Sequence, residues 1–394
     1  MDPRTGFPVV GMVGAGQLAR MTHQAAVALG QSLHVLANSL DEPAALVSPN
    51  TSLGSHTDLE ALRAFGKSVD VLTFDHEHVP GEHLRTLVAE GIRVHPAPEA
   101  LVHAQNKLLM RERLADLGVP PFTEVLSVDD AVKFGNEHGW PCVLKSISGG
   151  YDGRGVWMLD DPAAAETTVA ELLEAGTPLM VEQKVSMRRE LAVMVARSPF
   201  GQGGTWPVVE TVQVNGICVE VLAPAPGLDP DRADAIQDLA LRIADRIGLT
   251  GVMAVELFDT DDGVVINELA TRPHNSGHWT IEGARTSQFE QHLRAVLDYP
   301  LGATDQLAPV VVMANVLGAP ASPAMGPDER LHHLFARFRD AHVHNYGKQE
   351  RPGRKIGHVT MLGTDLDDVR RRASLAAHWL SRGEWADGYD IHGG

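Results

Sequence analysis

Hydrophobic positions near the start of the chain switch between two periods. Val9 to Val13 is an unbroken apolar run. Glycines follow, and then Leu18, Met21, Ala25 and Leu29 repeat at helical spacing. "LHVLA" is the next apolar run, and "DLEALRAFGKSVDVLTF" and "EHLRTLVAEGIRVH" repeat the alternation. Strand and helix in turn predict a parallel sheet covered on both faces. This unit is expected to span 1–100 and to close near "HPAPEAL", where two prolines break the pattern.

One long helix is predicted over "ALVHAQNKLLMRERLADLG", stopped by Gly118 and "VPPF". Beyond it the texture changes to short apolar strands: "PCVLKSI", "GVWMLD", "PLMVEQKV", "ELAVMVARS" and "TWPVVETVQVNGICVEVLAP". Helices are predicted at "AAAETTVAELLEAG" and "DRADAIQDLALRIADRIG". These elements make an α+β domain over 101–300, with a subdomain over about 120–186. Two further apolar runs, "APVVVMANVLG" and "KIGHVTML", and the helix "DLDDVRRRASLAAHW" form a smaller domain over 301–394.

Composition narrows the function. The 394 residues are 44% hydrophobic and carry a net charge of -18. Such a surface repels polyanions, so nucleic acid is not an expected partner, and an anionic substrate needs a local basic pocket. No apolar run is long enough to cross a bilayer, and the N-terminus lacks the order of a signal peptide. Cys142 and Cys218 lie in apolar strands and read as buried thiols, which suits a reducing cytoplasm.

Several short stretches carry chemistry. "GAGQLA", Gly14 to Ala19, fits the glycine pattern of dinucleotide sites, but the next strand ends at "LANS" without the acid that would hold a ribose. A phosphate or small polar ligand at the helix N-terminus, with Gln17 aimed at it, is the favoured reading. A structural tight turn is the alternative. "FDHEHVPGEH" gathers Asp75, His76, Glu77, His78 and His83, but strand alternation sends neighbours to opposite faces, so no metal is expected there. Glu77, at a strand end, reads as a substrate acceptor.

"VLKSISGGYDGRGVW" places Lys145 at the end of a strand and Gly149, Gly150, Gly153 and Gly155 before the next. It lacks Walker order and reads as a hairpin flap over nucleotide phosphates. "GVMAVELF" and "VVINELA" are joined by "DTDDG". A hairpin centred on Asp262 sets Glu256 opposite Glu268 on one face, where the two carboxylates repel unless a divalent cation joins them. Asn267 then points to the opposite face unless a bulge re-aims it. The end of "MVEQKV" is placed to read adenine through its backbone, with Glu190 on the ribose. "TRPHNSGHW" offers Arg272, His274, Asn275, Ser276 and His278 to an anion. "NYGKQERPGRKIGH" concentrates Lys348, Arg351, Arg354 and Lys355 in a loop suited to phosphate.

With these elements in this order the chain resembles the ATP-grasp superfamily. More narrowly, it is similar to the N5-carboxyaminoimidazole ribonucleotide synthetases of purine biosynthesis. "GQLARM", "GGYDGRG", "INELATRPHNSGHWT", "SQFEQHLRA" and "RPGRKIGH" carry the resemblance nearly end to end. It implies an ATP-grasp fold, α/β and α+β, behind an N-terminal Rossmann-like domain. It also implies activation of bicarbonate by ATP as carboxyphosphate, followed by carboxylation of the amine of 5-aminoimidazole ribonucleotide.

By the same resemblance, ATP meets His103, Lys145, Gly150, Tyr151, Asp152, Gly153, Arg154, Gly155, Val156, Glu182, Gln183, Lys184, Val185, Glu190, Gln213, Asn267 and Glu268. Glu256 and Glu268 hold magnesium, for which manganese is a substitute. Gln17, Leu18, Glu77, Tyr151, Asp152, Arg154, Lys348, Arg351, Arg354 and Lys355 hold the ribonucleotide. Asp152, Arg272, His274, Asn275 and Lys348 act in the chemistry. A homodimer and a hand-over of product to a mutase are expected. Two departures stand out: His76 and His78 replace an aromatic and an amide usual in the family, and His103 replaces a basic residue. The competing readings are a formate-using sister ligase and a silent nucleotide- or NAD-binding protein.

Overall fold

The computed structural model of the chain describes residues 1–149 and 155–390. The N-terminal strands are β1 (Val9–Val13), β2 (Ser32–Ala37), β3 (Thr51–Leu53) and β4 (Val71–Phe74), ordered β3-β2-β1-β4 and all parallel. Every residue of β1 and β4 is buried, as unbroken apolar runs demand of central parallel strands. Helix Gln17–Ala28 covers one face, and helices Leu59–Lys67 and Gly81–Ala89 cover the other. Leu293 and Val296 of helix Gln288–Val296 complete the first of these cores, so a distant part of the chain closes this unit.

The predicted long helix is two. Helix Pro98–Gln105 stops at Asn106, which is extended and caps a second helix, Lys107–Arg113, by accepting from Leu109 N at 2.9 Å. Asn106 also bridges Ser148, and Lys107 N donates to Ile147 O at 2.8 Å. The break therefore ties the interdomain segment to the start of the glycine loop.

A small antiparallel sheet follows: β5 (Phe122–Val125), β6 (Cys142–Ser146), β7 (Val156–Leu159) and β8 (Leu179–Gln183), in the order β5-β8-β6-β7. Helices Val128–His138 and Pro162–Glu174 pack on it around Leu144, Val169 and Val181. Both cysteines are buried thiols.

The remaining strands form one sheet of nine: β9 (Arg189–Arg197), β10 (Gly203–Thr205), β11 (Val209–Val214), β12 (Ile217–Ala223), β13 (Gly251–Thr260), β14 (Gly263–Ala270), β15 (Val310–Leu317), β16 (His342–Asn345) and β17 (Lys355–Gly363). Its main path runs β14-β13-β9-β11-β12-β15-β17-β16, with β10 on β9. The strands assigned to a separate C-terminal domain thus extend the central sheet, because β15 pairs with β12 from Ala314↔Glu220 to Val311↔Ala223. Helix Pro230–Arg246 buries its apolar face on one part of the sheet, and helices Pro327–Arg337 and Leu366–Arg382 cover the other part. Strand β16 and helix Pro327–Arg337 had no clear signal in the sequence pattern, since β16 reads "HVHN".

Candidate active site

The site lies where the three sheets meet. On β13 and β14 the predicted carboxylates face each other: Glu256 and Glu268 are register partners. The turn is shorter than expected, since Thr260 pairs with Gly263, and the register shifts beside Glu256. Asn267 is the extra residue. The bulge re-aims its side chain, and Asn267 Oδ1 accepts from Lys145 Nζ at 3.4 Å. Glu256 sits at the cleft floor with 30% of its side chain exposed, and His274 Nε2 lies 3.5 Å from it. Burial first, and then the charges of Glu268 and Glu190, push its carboxyl up to about 8. Two carboxylates held this way fit a divalent cation that also takes phosphate oxygens. Among the described residues no group of three or more His, Cys, Asp or Glu could hold a metal by itself.

Lys145 is the last but one residue of β6 and pairs with Val156 of β7, so the glycine loop joins two adjacent strands as predicted. Gly150, Tyr151, Asp152, Gly153 and Arg154 lie outside the described residues. Lys145 is 5% exposed, and its Nζ meets Glu182 Oε1 at 2.5 Å. Glu182 Oε2 accepts from Arg111 Nε at 3.0 Å and Nη2 at 2.9 Å. The Glu182 carboxylate is thus engaged by two cations, which hold it below the usual carboxylate range despite its burial. Glu182 orients Lys145 through its carboxylate. Gln183 is turned away, with its Nε2 on His138 O at 3.1 Å. Lys184 is exposed and Val185 half-buried just beyond β8. Glu190 is hydrogen-bonded to Gln213 and raised by burial. His103 is lowered by burial and by Arg113, so the neutral ring stands where a cation was in question.

Across the cleft, Asp75 follows β4 and is fully occupied. Its Oδ2 accepts from Gly16 N at 2.7 Å and its Oδ1 from Ala19 N at 2.8 Å. A Cβ at Gly16 would overlap this carboxylate. Two of the amides expected to receive a ligand phosphate, those of Gly16 and Ala19, are therefore taken by the protein's own carboxylate, which counts against that reading and against a dinucleotide pyrophosphate there. Gln17 remains presented: its Oε1 accepts from Lys348 Nζ, and its Nε2 lies 3.5 Å from His278 Nε2. The side chain of Leu18 is instead spent in a core cluster with Met21, Phe289 and Tyr346.

Glu77 accepts from Arg272 Nε at 2.7 Å. His76 and His78 stack at 5.2 Å, and His83 is turned to Thr57 O at 3.1 Å. Burial, with the neighbouring His56 and His78, holds His76 down at about 3. His274 is kept neutral by burial and by Arg272, with Nδ1 at 2.9 Å from Ser276 Oγ. Asn275 forms a reciprocal amide pair with Asn315 of β15, at 3.0 and 2.8 Å. The charge of Lys355 reaches Glu256 and His274. Arg351 and Arg354 meet Gln349, at its Oε1 (3.3 Å) and its main-chain O (3.2 Å).

Comparison with known proteins matches three stretches in order: the ribonucleotide synthetase preATP-grasp domain over 8–105, the ATP-grasp domain over 111–289, and the phosphoribosylaminoimidazole carboxylase C-terminal domain over 311–372. A Mycobacterium tuberculosis N5-carboxyaminoimidazole ribonucleotide synthase is 62% identical, over 98% of this chain and 90% of its own length. The chain belongs to the N5-carboxyaminoimidazole ribonucleotide synthase family. Its fold is that of the family's crystal structures. The synthetase from Thermus thermophilus is 33% identical with a TM-score of 0.84, covering 96% of this chain and 99% of that one. The Aspergillus clavatus synthase, in complex with ADP and 5-aminoimidazole ribonucleotide, is 32% identical with a TM-score of 0.84, covering 95% and 98%.

Sequence reasoning passed over two cations that the structure brings to this cleft. Arg111 hides in an ordinary helix pattern, although an arginine beside Met110 on an apolar face is itself a sign of a buried partner. Lys107 donates to Gly149 O at 3.0 Å and lies 3.7 Å from Glu268 Oε1. The helix break that aims it there was read as continuous helix.

Proposed function

We propose that this chain catalyses the ATP-dependent carboxylation of 5-aminoimidazole ribonucleotide on its amine. One observation carries the reading. The Gln17–Lys348 hydrogen bond joins the first helix of the N-terminal unit to the loop before β17. That contact shares a cleft with the Glu77–Arg272 pair and with Glu256, Glu268 and Lys145. A substrate held by Gln17 and Lys348 therefore stands beside a nucleotide held by the two carboxylates and Lys145.

In this reading an oxygen of bicarbonate attacks the γ-phosphorus of ATP and ADP leaves. The carbon of carboxyphosphate, or of CO2 released from it, then accepts the amine, and phosphate leaves with the amine proton. Lys145 and Lys107 fix the phosphates, and Arg272 neutralises the carboxylated intermediate. Glu256 and Glu268 would hold magnesium, which would supply charge neutralisation to the phosphates. Neutral His274, bonded to Ser276 and near Glu256, donates to an oxyanion without adding a full charge. Arg351, Arg354 and Lys355 draw the ribose phosphate, and Tyr151, Asp152 and Arg154 contact the ribonucleotide. Asp152 orients the amine or takes its proton. Carboxyphosphate hydrolyses readily, so the reaction needs water excluded from the site.

The test is ADP release with magnesium and ATP, with and without bicarbonate and the ribonucleotide. Strong stimulation by the ribonucleotide, lost without bicarbonate, is the expected result. Turnover indifferent to both would sink the substrate assignment. The proposal includes a homodimer and a hand-over of the product to a mutase. Sedimentation of the chain alone, and mixed with that enzyme, tests each.

A further inference from the structure

The loop that carries Lys348 is held from behind by a side chain outside every element assigned to the site. Between β16 and β17 the loop is anchored at both ends. Near its start the Tyr346 hydroxyl lies 2.7 Å from His358 Nδ1. Near its end Gly353 N donates to Gly318 O at 2.9 Å, and Gly318 N donates to Arg354 O at 2.8 Å. A Cβ at Gly318 would overlap the Arg351 main chain, so the loop lies directly on this strand end.

Between the anchors, two residues past Lys348, stands Glu350. Its Oε1 accepts from Arg330 Nη2 at 2.8 Å. Arg330 is 3% exposed on helix Pro327–Arg337. Its Nη1 donates to Leu380 O and, at 3.4 Å, to Ser381 O, while its own carbonyl accepts from Trp379 Nε1 at 2.7 Å. The guanidinium is therefore fixed by the end of helix Leu366–Arg382 before it reaches the loop. A small cleft of about 40 Å³, lined in part by Leu331, Val343 and Ile356, borders the pair.

We infer that Arg330 is a positioning residue for the ribonucleotide: through Glu350 it fixes the loop where Lys348 meets Gln17. The physical reason is preorganisation. Lys348 is long and its stem rotates freely, so a loop held in place lowers the ordering cost of its contact with an anionic substrate. A charge-assisted bond from a buried arginine holds better than an exposed ion pair would. The inference rests on the reading of Lys348 as a ribonucleotide ligand.

The test uses the full chain and four variants: Glu350→Ala, Glu350→Gln, Arg330→Met and Lys348→Ala. KM for the ribonucleotide and for ATP is measured separately, with melting temperature. Glu350→Ala is expected to raise the ribonucleotide KM about tenfold and leave the ATP KM unchanged. Glu350→Gln keeps an oxygen for Arg330 and should recover most of the affinity. Arg330→Met should match Glu350→Ala. If it does not fold, the two Glu350 variants decide. A raised KM in Lys348→Ala with none in Glu350→Ala would overturn the tie while leaving the Lys348 assignment intact. No change in Lys348→Ala would overturn both.

Discussion

Glu256 stands opposite Glu268 because Asn267 is bulged out of β14. Without the extra residue, the tight turn at Asp261 and Asp262 would set Glu256 against Asn267. The bulge thus serves twice, since it also turns Asn267 toward Lys145. With its pKa near 8, Glu256 is mostly protonated at neutral pH in the free protein. Binding of the magnesium nucleotide should release about one proton at pH 7, and fewer at pH 9. Calorimetry in two buffers of different ionisation enthalpy measures this, and Glu256→Gln should abolish it.

The same carboxyl makes a prediction for stability. Its folded pKa, about 8, lies above its ordinary value of 4.5. The stability it contributes is therefore fully present below pH 4.5 and is lost as pH rises through about 8. In the nucleotide-free protein, the melting temperature of wild type minus that of Glu256→Gln should fall across this window. A flat difference would contradict the assignment.

Glu182 has two cationic partners and is 2% exposed. Glu182→Gln leaves Arg111 and Lys145 buried without their counter-charge. The expected cost is about 3 kcal/mol in chemical denaturation. The KM for ATP should rise as well, because Lys145 loses the carboxylate that aims it. An activity loss at unchanged stability would argue for a direct ligand role instead.

Gly16 permits the approach of Asp75. Gly16→Ala should displace the carboxylate from the amides of Gly16 and Ala19 and cost about 2 kcal/mol. It should also raise the ribonucleotide KM, because Gln17 is the next residue. NAD should not bind the wild type in a fluorescence titration, as Asp75 fills the cradle a pyrophosphate needs.

Lys107 and Gln17 should give opposite kinetic signatures. Lys107 spans Gly149 and Glu268, so Lys107→Met is expected to raise the ATP KM about tenfold and spare the ribonucleotide. Gln17 meets Lys348, so Gln17→Ala should do the reverse. Equal effects on both substrates would mean the two halves of the cleft are not separable.

Much of this was legible because apolar runs and glycines punctuate strands and helices plainly. The parallel N-terminal sheet followed from alternation alone, and the Glu256–Glu268 pair from two apolar strands around an acidic turn. That pair was reached through a turn one residue longer than the real one, because a bulge leaves no mark in a pattern of period two. Arg111, Lys107 and Arg330 were passed over for a common reason. A cation on a helix looks solvated until tertiary contacts bury it, and those contacts lie 71, 42 and 20 residues away. The joining of β12 to β15 was likewise invisible, since strand pairing across 90 or so residues depends on topology and not on local pattern.

That pairing has a consequence for how the two reactants are spaced. The strands bearing Glu256 and Glu268, and the strand that begins at Lys355, belong to a single hydrogen-bonded sheet. Each rung is a backbone dimension, about 4.8 Å, that no side-chain replacement alters. The chain therefore carries its own ruler: on the proposed reading, the distance between the two reactants is measured out in rungs of main chain.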